Sequence, residues 1–251
     1  MIKFSILLVV IITGIIGAFI VTAIPCQKSN VLEKAQAPQI FWVQEIFIDY
    51  IDESHAGPGP HPTTESDNFH TVQGGIKWFN GSNVEYRIIG SEAISGGNSA
   101  IESAEETWDG FITTRSFSRN DSTTQLNPCN FIPNTIQWVT IDGPDGILAS
   151  ASICRNVATK EIGGFVISID QNETWNTTGN ISAIDVENVV SHEFGHAAGL
   201  DHVSSPKDGC LTLYRLAGLG ETQKRTLGLG DKLGMNALYG SSDISAGSCG
   251  S

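Results

Sequence analysis

Positive charge is scarce in this chain: 14 Lys and Arg stand against 27 Asp and Glu, a formal net charge of −13 over 251 residues. No basic patch emerges along it, so it lacks the electrostatic footprint that nucleic acid requires, and nucleic acid is not an expected partner. Cysteine is sparse as well. There are five, none in CxxC spacing, which argues against a metal site built from close cysteine pairs. Methionine occurs only as Met1 and Met235, and no histidine lies between His70 and His192.

The histidines that are present are concentrated. Residues 192–202 read His-Glu-Phe-Gly-His-Ala-Ala-Gly-Leu-Asp-His. On a helix, His192 and His196 are one turn apart on the same face, where two imidazoles can grip one metal ion. Glu193 then stands beside that ion without being a ligand, as a carboxylate must if it is to take a proton from metal-held water. Gly199 tolerates the left-handed conformation that ends the helix sharply, and His202 comes round on the turn as the third ligand. Three imidazoles and an open fourth position make the arrangement of catalytic zinc, whereas structural zinc is closed by four protein ligands. An accidental origin would require three histidines, a glutamate and a glycine at fixed offsets in a chain with six histidines.

The stretch resembles the HExxHxxGxxH signature of the metzincins. Val203 after the third His, Ser204-Ser205-Pro206, and the later run Leu229 to Gly240 ending in Leu-Tyr-Gly are similar to the matrixin branch. The resemblance implies a zinc endopeptidase with a metzincin-like α+β domain: a twisted mixed sheet, an early long helix, the zinc helix and a C-terminal helix. Metzincins carry a methionine beneath the metal. The best counterpart here is Leu211-Thr212-Leu213-Tyr214, with Leu213 at the methionine position, a swap that cores usually tolerate. The family's hydrophobic pocket beside the cleft would draw on Leu213 and Tyr214. Its structural-zinc histidines have no counterparts, nor has its cysteine-containing latency motif around Cys26.

From Phe4 to Ile24 the chain is almost wholly apolar behind Lys3, long enough to span a bilayer. Residues 1–26 are read as a signal peptide or signal anchor, which makes the membrane a partner and the exterior or cell surface the destination. Five Asn-x-Ser/Thr triplets, at Asn80, Asn120, Asn172, Asn176 and Asn180, support that compartment weakly. Local loop closure favours Cys129–Cys154 and Cys210–Cys249 among the three pairings open to those cysteines. Residues 27–73 read as a linker or a propeptide; within them Ile40 to Ile51 alternates enough for a strand or short helix, and His55, His61 and His70 read as solvated linker residues.

Residues 74–240 are the expected catalytic domain and 241–251 a tail. Strands are expected at Val84–Ile89, Thr135–Ile141, Leu148–Cys154 and Gly164–Ile169. A helix is expected from Asn98 to Thr113, with Ile101, Ala104, Glu105, Trp108 and Ile112 as its inner stripe. The strand from Ile162 to Asp170 is expected nearest the cleft, where it binds extended peptide by strand addition. Ser182 opens a capping-box-like start to the zinc helix, and Lys224-Arg225 reads as a solvated basic face. Asp142, Asp145 and Asp170 offer hard oxygens of the kind calcium takes, and matrixins commonly bind that ion; Asp-Gly is also ordinary turn chemistry, the preferred reading. Zinc is thus the expected cofactor and calcium the open one. The function implied is hydrolysis of peptide bonds in extracellular polypeptides, with a catalytically silent zinc-containing surface binding or scaffold protein as the alternative.

Overall fold

The computed structural model describes residues 41–51, 65–79, 81, 83–109, 116–240 and 244–245. The first described element is the ten-residue strand β1 (Trp42–Ile51), so the alternating stretch takes the strand option. A short β2 (His70–Thr71) follows, then β3 (Val84–Ile89), α1 (Gly97–Asp109) and β4 (Phe117–Arg119). Next come β5 (Thr135–Val139), β6 (Ile147–Asn156), β7 (Ile162–Asp170), β8 (Trp175–Asn176) and β9 (Ile184–Asp185). The last group is α2 (Val186–Ala197), β10 (Leu200–Asp201), β11 (Leu216–Ala217) and α3 (Leu229–Tyr239). The α+β class is as expected.

Seven strands form one mixed sheet in the order β11-β1-β6-β7-β5-β3-β4. The β3-β4, β3-β5 and β5-β7 pairs are parallel, β6 runs antiparallel to β7, and β1 runs antiparallel to β6 and parallel to β11. One expectation is corrected here. The strand β7 has a partner on each side, β5 and β6, and is interior to the sheet; β6 is the strand on which an additional chain is laid, and β1 is that chain.

The helices α1 and α2 pack together against the sheet because each presents an apolar stripe. Trp108 of α1 is fully buried and its indole N–H donates to the Ser191 carbonyl of α2 at 2.8 Å. Phe194 of α2 enters an aromatic cluster with Tyr86, Phe117 and Phe165 from three strands, ring centroids 5.2–6.2 Å away. Each such ring buries on the order of 150–250 Å², so this cluster fixes α2 on the sheet.

The start of α2 differs from the capping box read at Ser182. The N-cap is Asp185, whose carboxylate accepts the Asn188 N–H at 3.0 Å and pairs with Arg225, while Ile184 and Asp185 extend as β9 beside β8. Arg225 and Lys224 are accordingly not a solvated face. Lys224 is 1% exposed, donating to the Leu216 carbonyl at 2.6 Å and lying 3.6 Å from Glu221.

Cys129 and Cys154 are bridged as expected. Cys210 is also disulfide-bonded, and its expected partner Cys249 lies outside the described residues. The apolar N-terminal segment lies outside them too; among the described residues no helix is long and apolar enough to cross a membrane.

Candidate metal centre

Helix α2 places His192 and His196 one turn apart, and both are fully buried. Beyond its end, Gly199 adopts φ +101°, where any Cβ would strike the Ile76 backbone, and the chain reverses into β10 and His202. The last carbonyls of the helix are held from outside it. Trp78 Nε1 donates to Ala197 O at 2.8 Å and the Tyr239 hydroxyl to Ala198 O at 2.7 Å, supplying the partners that a helix C-terminus lacks.

The ring tautomers follow from the neighbours. His192 Nδ1 lies 2.7 Å from Thr212 O and His196 Nδ1 lies 2.9 Å from Leu200 O. A carbonyl only accepts, so both Nδ1 atoms carry the proton and each neutral ring presents a bare Nε2. These face one another: His196 Nε2 is 3.0 Å from His192 Nε2 and 3.1 Å from His202 Nε2. Lone pairs so arranged repel unless a cation lies between them, and zinc bonds of roughly 2.0–2.1 Å in tetrahedral array bring ligand nitrogens to about this spacing. The donor set therefore fits the zinc ion that the sequence implies. Burial lowers the proton affinity of His192 and, more strongly, of His196, keeping both rings neutral as ligands must be.

Glu193 is fully buried beside the trio, with no hydrogen-bond donor to either carboxylate oxygen. Burial first, and the neighbouring Asp49 carboxylate second, push its pKa well above the ordinary range. Such a carboxyl holds or releases a proton according to what shares its pocket.

The Matrixin family model matches residues 77–240. The chain belongs to the matrixin family. Matrixins are zinc metalloendopeptidases, and calcium accompanies zinc in the family. Human neutrophil collagenase is 33% identical over 183 residues, 70% of this chain and 36% of that protein. Stromelysin-3 of Xenopus laevis is 34% identical over 99 residues, 39% of this chain and 18% of that protein. The chain thus spans about a third or less of the curated relatives it matches. Among solved structures, myroilysin aligns with a TM-score of 0.39 at 12% identity, over 75% of this chain and 96% of that one, a likeness too remote to add to the topology above.

In this matrixin the turn that ordinarily bears a methionine is built around leucine. Leu213 is 2% exposed and its side chain lies against Gly195, in the middle of the zinc helix. Asp231 of α3 holds the turn, accepting the N–H groups of Thr212 at 2.7 Å and Leu213 at 3.2 Å. The Thr212 carbonyl then aims His192.

The acidic loop satisfies turn chemistry. Asp170 Oδ2 accepts the N–H groups of Ile141, Asp142 and Gly143 at 3.0–3.1 Å, and Glu173 accepts those of Asp145 and Gly146. Backbone donation outweighs burial and lowers the Asp170 pKa.

Two site residues escaped the sequence reading. His70, taken as solvated linker, donates from Nδ1 to the His202 carbonyl at 2.8 Å, steadying the turn that carries His202. The other is Asp49 of β1: its Oδ1 lies 3.2 Å from both His192 Nε2 and His202 Nε2, and its carboxylate completes a four-residue group able to hold one ion. The available signal was an acid at an inward position of a mostly apolar alternating strand. Its partners lie more than 140 positions further on, where no local pattern reaches.

Proposed function

We propose that this chain is a zinc-dependent endopeptidase that cleaves extended polypeptides outside the membrane, with His192, His196 and His202 as metal ligands and Glu193 as general base. The observation that carries the reading is the convergence of three imidazole Nε2 atoms, with neighbours 3.0–3.1 Å apart, on a helix that also carries the fully buried Glu193 carboxyl. When bound, zinc supplies Lewis acidity for the scissile carbonyl and acidifies its water to a pKa of roughly 7.

The chain's own groups divide the remaining tasks. Thr212 and Leu200 fix two rings by accepting their Nδ1 protons, and His70 steadies the turn that carries His202. Glu193 takes the proton from the attacking water and returns it to the leaving amine. Strands β6 and β11 flank a lane in which an extended peptide finds backbone partners on both sides. Residues 1–26 would deliver the chain across or into the membrane and residues 74–240 would form the catalytic unit. The oxidised Cys129–Cys154 pair suits that exterior destination.

The second reading, a silent zinc-containing binding protein, has one specific observation in its favour. With Asp49 included, the centre has four protein ligands, the closed set typical of structural zinc. The test compares zinc-loaded wild type, Asp49→Ala and Glu193→Ala for bound zinc and for cleavage of unfolded casein. Endopeptidase function requires cleavage by the wild type or Asp49→Ala that a chelator abolishes. Glu193→Ala should keep one zinc and lower the activity by about 10²–10⁴-fold. Stable zinc without cleavage in all three proteins would give the chain to the silent reading.

A further inference from the structure

We infer that β1 is a built-in inhibitory strand: it fills the peptide lane between β6 and β11 and puts the Asp49 carboxylate at the fourth position round the metal. The inference rests on the endopeptidase reading and adds the regulation of the same site.

Four observations carry it. First, β1 occupies the lane along its whole length. It pairs antiparallel with β6 from Trp42↔Asn156 to Tyr50↔Ile147, then parallel with β11 at Tyr50↔Leu216 and Ile51↔Ala217. A substrate using the same backbone groups cannot bind until β1 leaves.

Second, the strand is shaped to the lane. Its inward residues are Glu45, Phe47, Asp49 and Ile51, while Ile46, Ile48 and Tyr50 on the opposite face are 40–63% exposed. Glu45 pairs with Arg155 at 2.6 Å, and Phe47 stacks on the His196 ring at 4.1 Å between centroids. Trp42 lies over Gly163, where a Cβ would collide with its indole.

Third, the β1-β6 register shifts between Asp49 and Tyr50, at the point where the strand passes the histidines. At this irregularity Asp49 Oδ1 lies within 3.2 Å of two imidazole nitrogens, and the buried Glu193 carboxyl lies beside the same carboxylate. A carboxylate buried to 2% exposure next to a second buried carboxyl is costly unless a cation compensates it. Fourth, Asp49 brings the group of ligand atoms to four, a number that would leave a tetrahedral zinc no open position, and hydrolysis needs one.

The test uses the full chain loaded with cobalt or zinc, in four forms: wild type, Asp49→Ala, Asp49→Asn, and a wild type with a sequence-specific protease site inserted after Gly59. The first readout is independent of activity. If Asp49 is a ligand, both substitutions change the visible spectrum of the cobalt protein and speed zinc loss to a chelator by about tenfold or more. The second readout is casein cleavage, which should rise at least tenfold in Asp49→Asn and after cutting at the inserted site. Asn keeps the shape of Asp, so it covers the case in which Asp49→Ala does not fold. Unchanged cobalt spectra and zinc-loss rates in both variants overturn the inference, whatever the activity. So does a wild type already as active as Asp49→Asn. Altered spectra with no cleavage in any form, cut or uncut, would instead sink the endopeptidase reading and leave Asp49 as the ligand of a structural zinc.

Discussion

At the scale of single residues, the site is fixed by small atoms in tight places. Gly195 sits mid-helix, where Ala would ordinarily gain about 1 kcal/mol of helix propensity. A Cβ there would lie 2.5 Å from Leu213 Cδ2 and 2.8 Å from Trp108 Cζ2. Leu213 can yield, but Trp108 is fully buried and tethered through its indole N–H, so the clash outweighs the propensity. Gly195→Ala should destabilise the fold by about 1–3 kcal/mol, measured by urea unfolding; a stabilised variant would show that the core gives way more easily than this. A second residue-scale effect lies in α1. Burial raises the Glu105 pKa to about 7, against the hydrogen bond that the Tyr86 hydroxyl donates to it. The native state therefore holds this proton more tightly than the unfolded chain. The contribution is complete below about pH 4.5 and is lost as pH rises through about 7. Glu105→Gln should flatten that decline, leaving the variant about 1–2 kcal/mol more stable than wild type above pH 7, after allowance for solvent screening. Thermal melts from pH 4 to 8 check the sign.

At the scale of elements, legibility followed the range of the interaction. Strand β3 lies where Val84–Ile89 was read, because its alternation is local. The metal-bearing part of α2 was legible because His192, His196, Gly199 and His202 lie within eleven residues. The start of α2 was not, since Ser182 and Asp185 both look like caps. What selects Asp185 is Arg225, forty positions later, which donates to both carboxylate oxygens and shares Oδ1 with the Asn188 N–H. Lys224 was misread for the same reason: its carbonyl partner, Leu216, belongs to a strand formed only by pairing with β1. The prediction at this scale concerns that cap. Asp185→Ala removes the capping acceptor, worth about 0.5–2 kcal/mol, and leaves Arg225 without its closest partner. A loss of about 2 kcal/mol is expected, with zinc affinity falling in parallel because the helix that frays carries two ligands. Restoring stability with Asp185→Asn but not with Asp185→Leu would attribute the loss to the cap rather than to packing.

At the scale of the whole molecule, the four candidate ligands come from three separate places: Asp49 from β1, His192 and His196 from α2, and His202 from the turn after β10. A metal held by all of them would be a clamp between the elements that carry the histidines and a strand that precedes them in sequence. The rest of the fold has supports of its own. Strands β5 and β7 lie inside the sheet with buried faces, and the Cys129–Cys154 bridge ties β6 to the segment before β5. By contrast, β1 has one face in solvent and, beyond β6, only the two-residue β11 beside it. Its local opening should cost much less free energy than global unfolding once the metal link is gone. Hydrogen exchange measures this directly. In the zinc-loaded chain the amides of Trp42–Ile51 should be protected nearly as well as those of β6. Chelation should speed their exchange at least tenfold while β5 and β7 stay unchanged, and Asp49→Asn should do the same with zinc still bound. If β1 and β7 lose protection together on chelation, the ion supports the entire domain and β1 does not open as a separate unit. If neither changes, the backbone ladder to β6 is sufficient by itself, and Asp49 holds nothing in place.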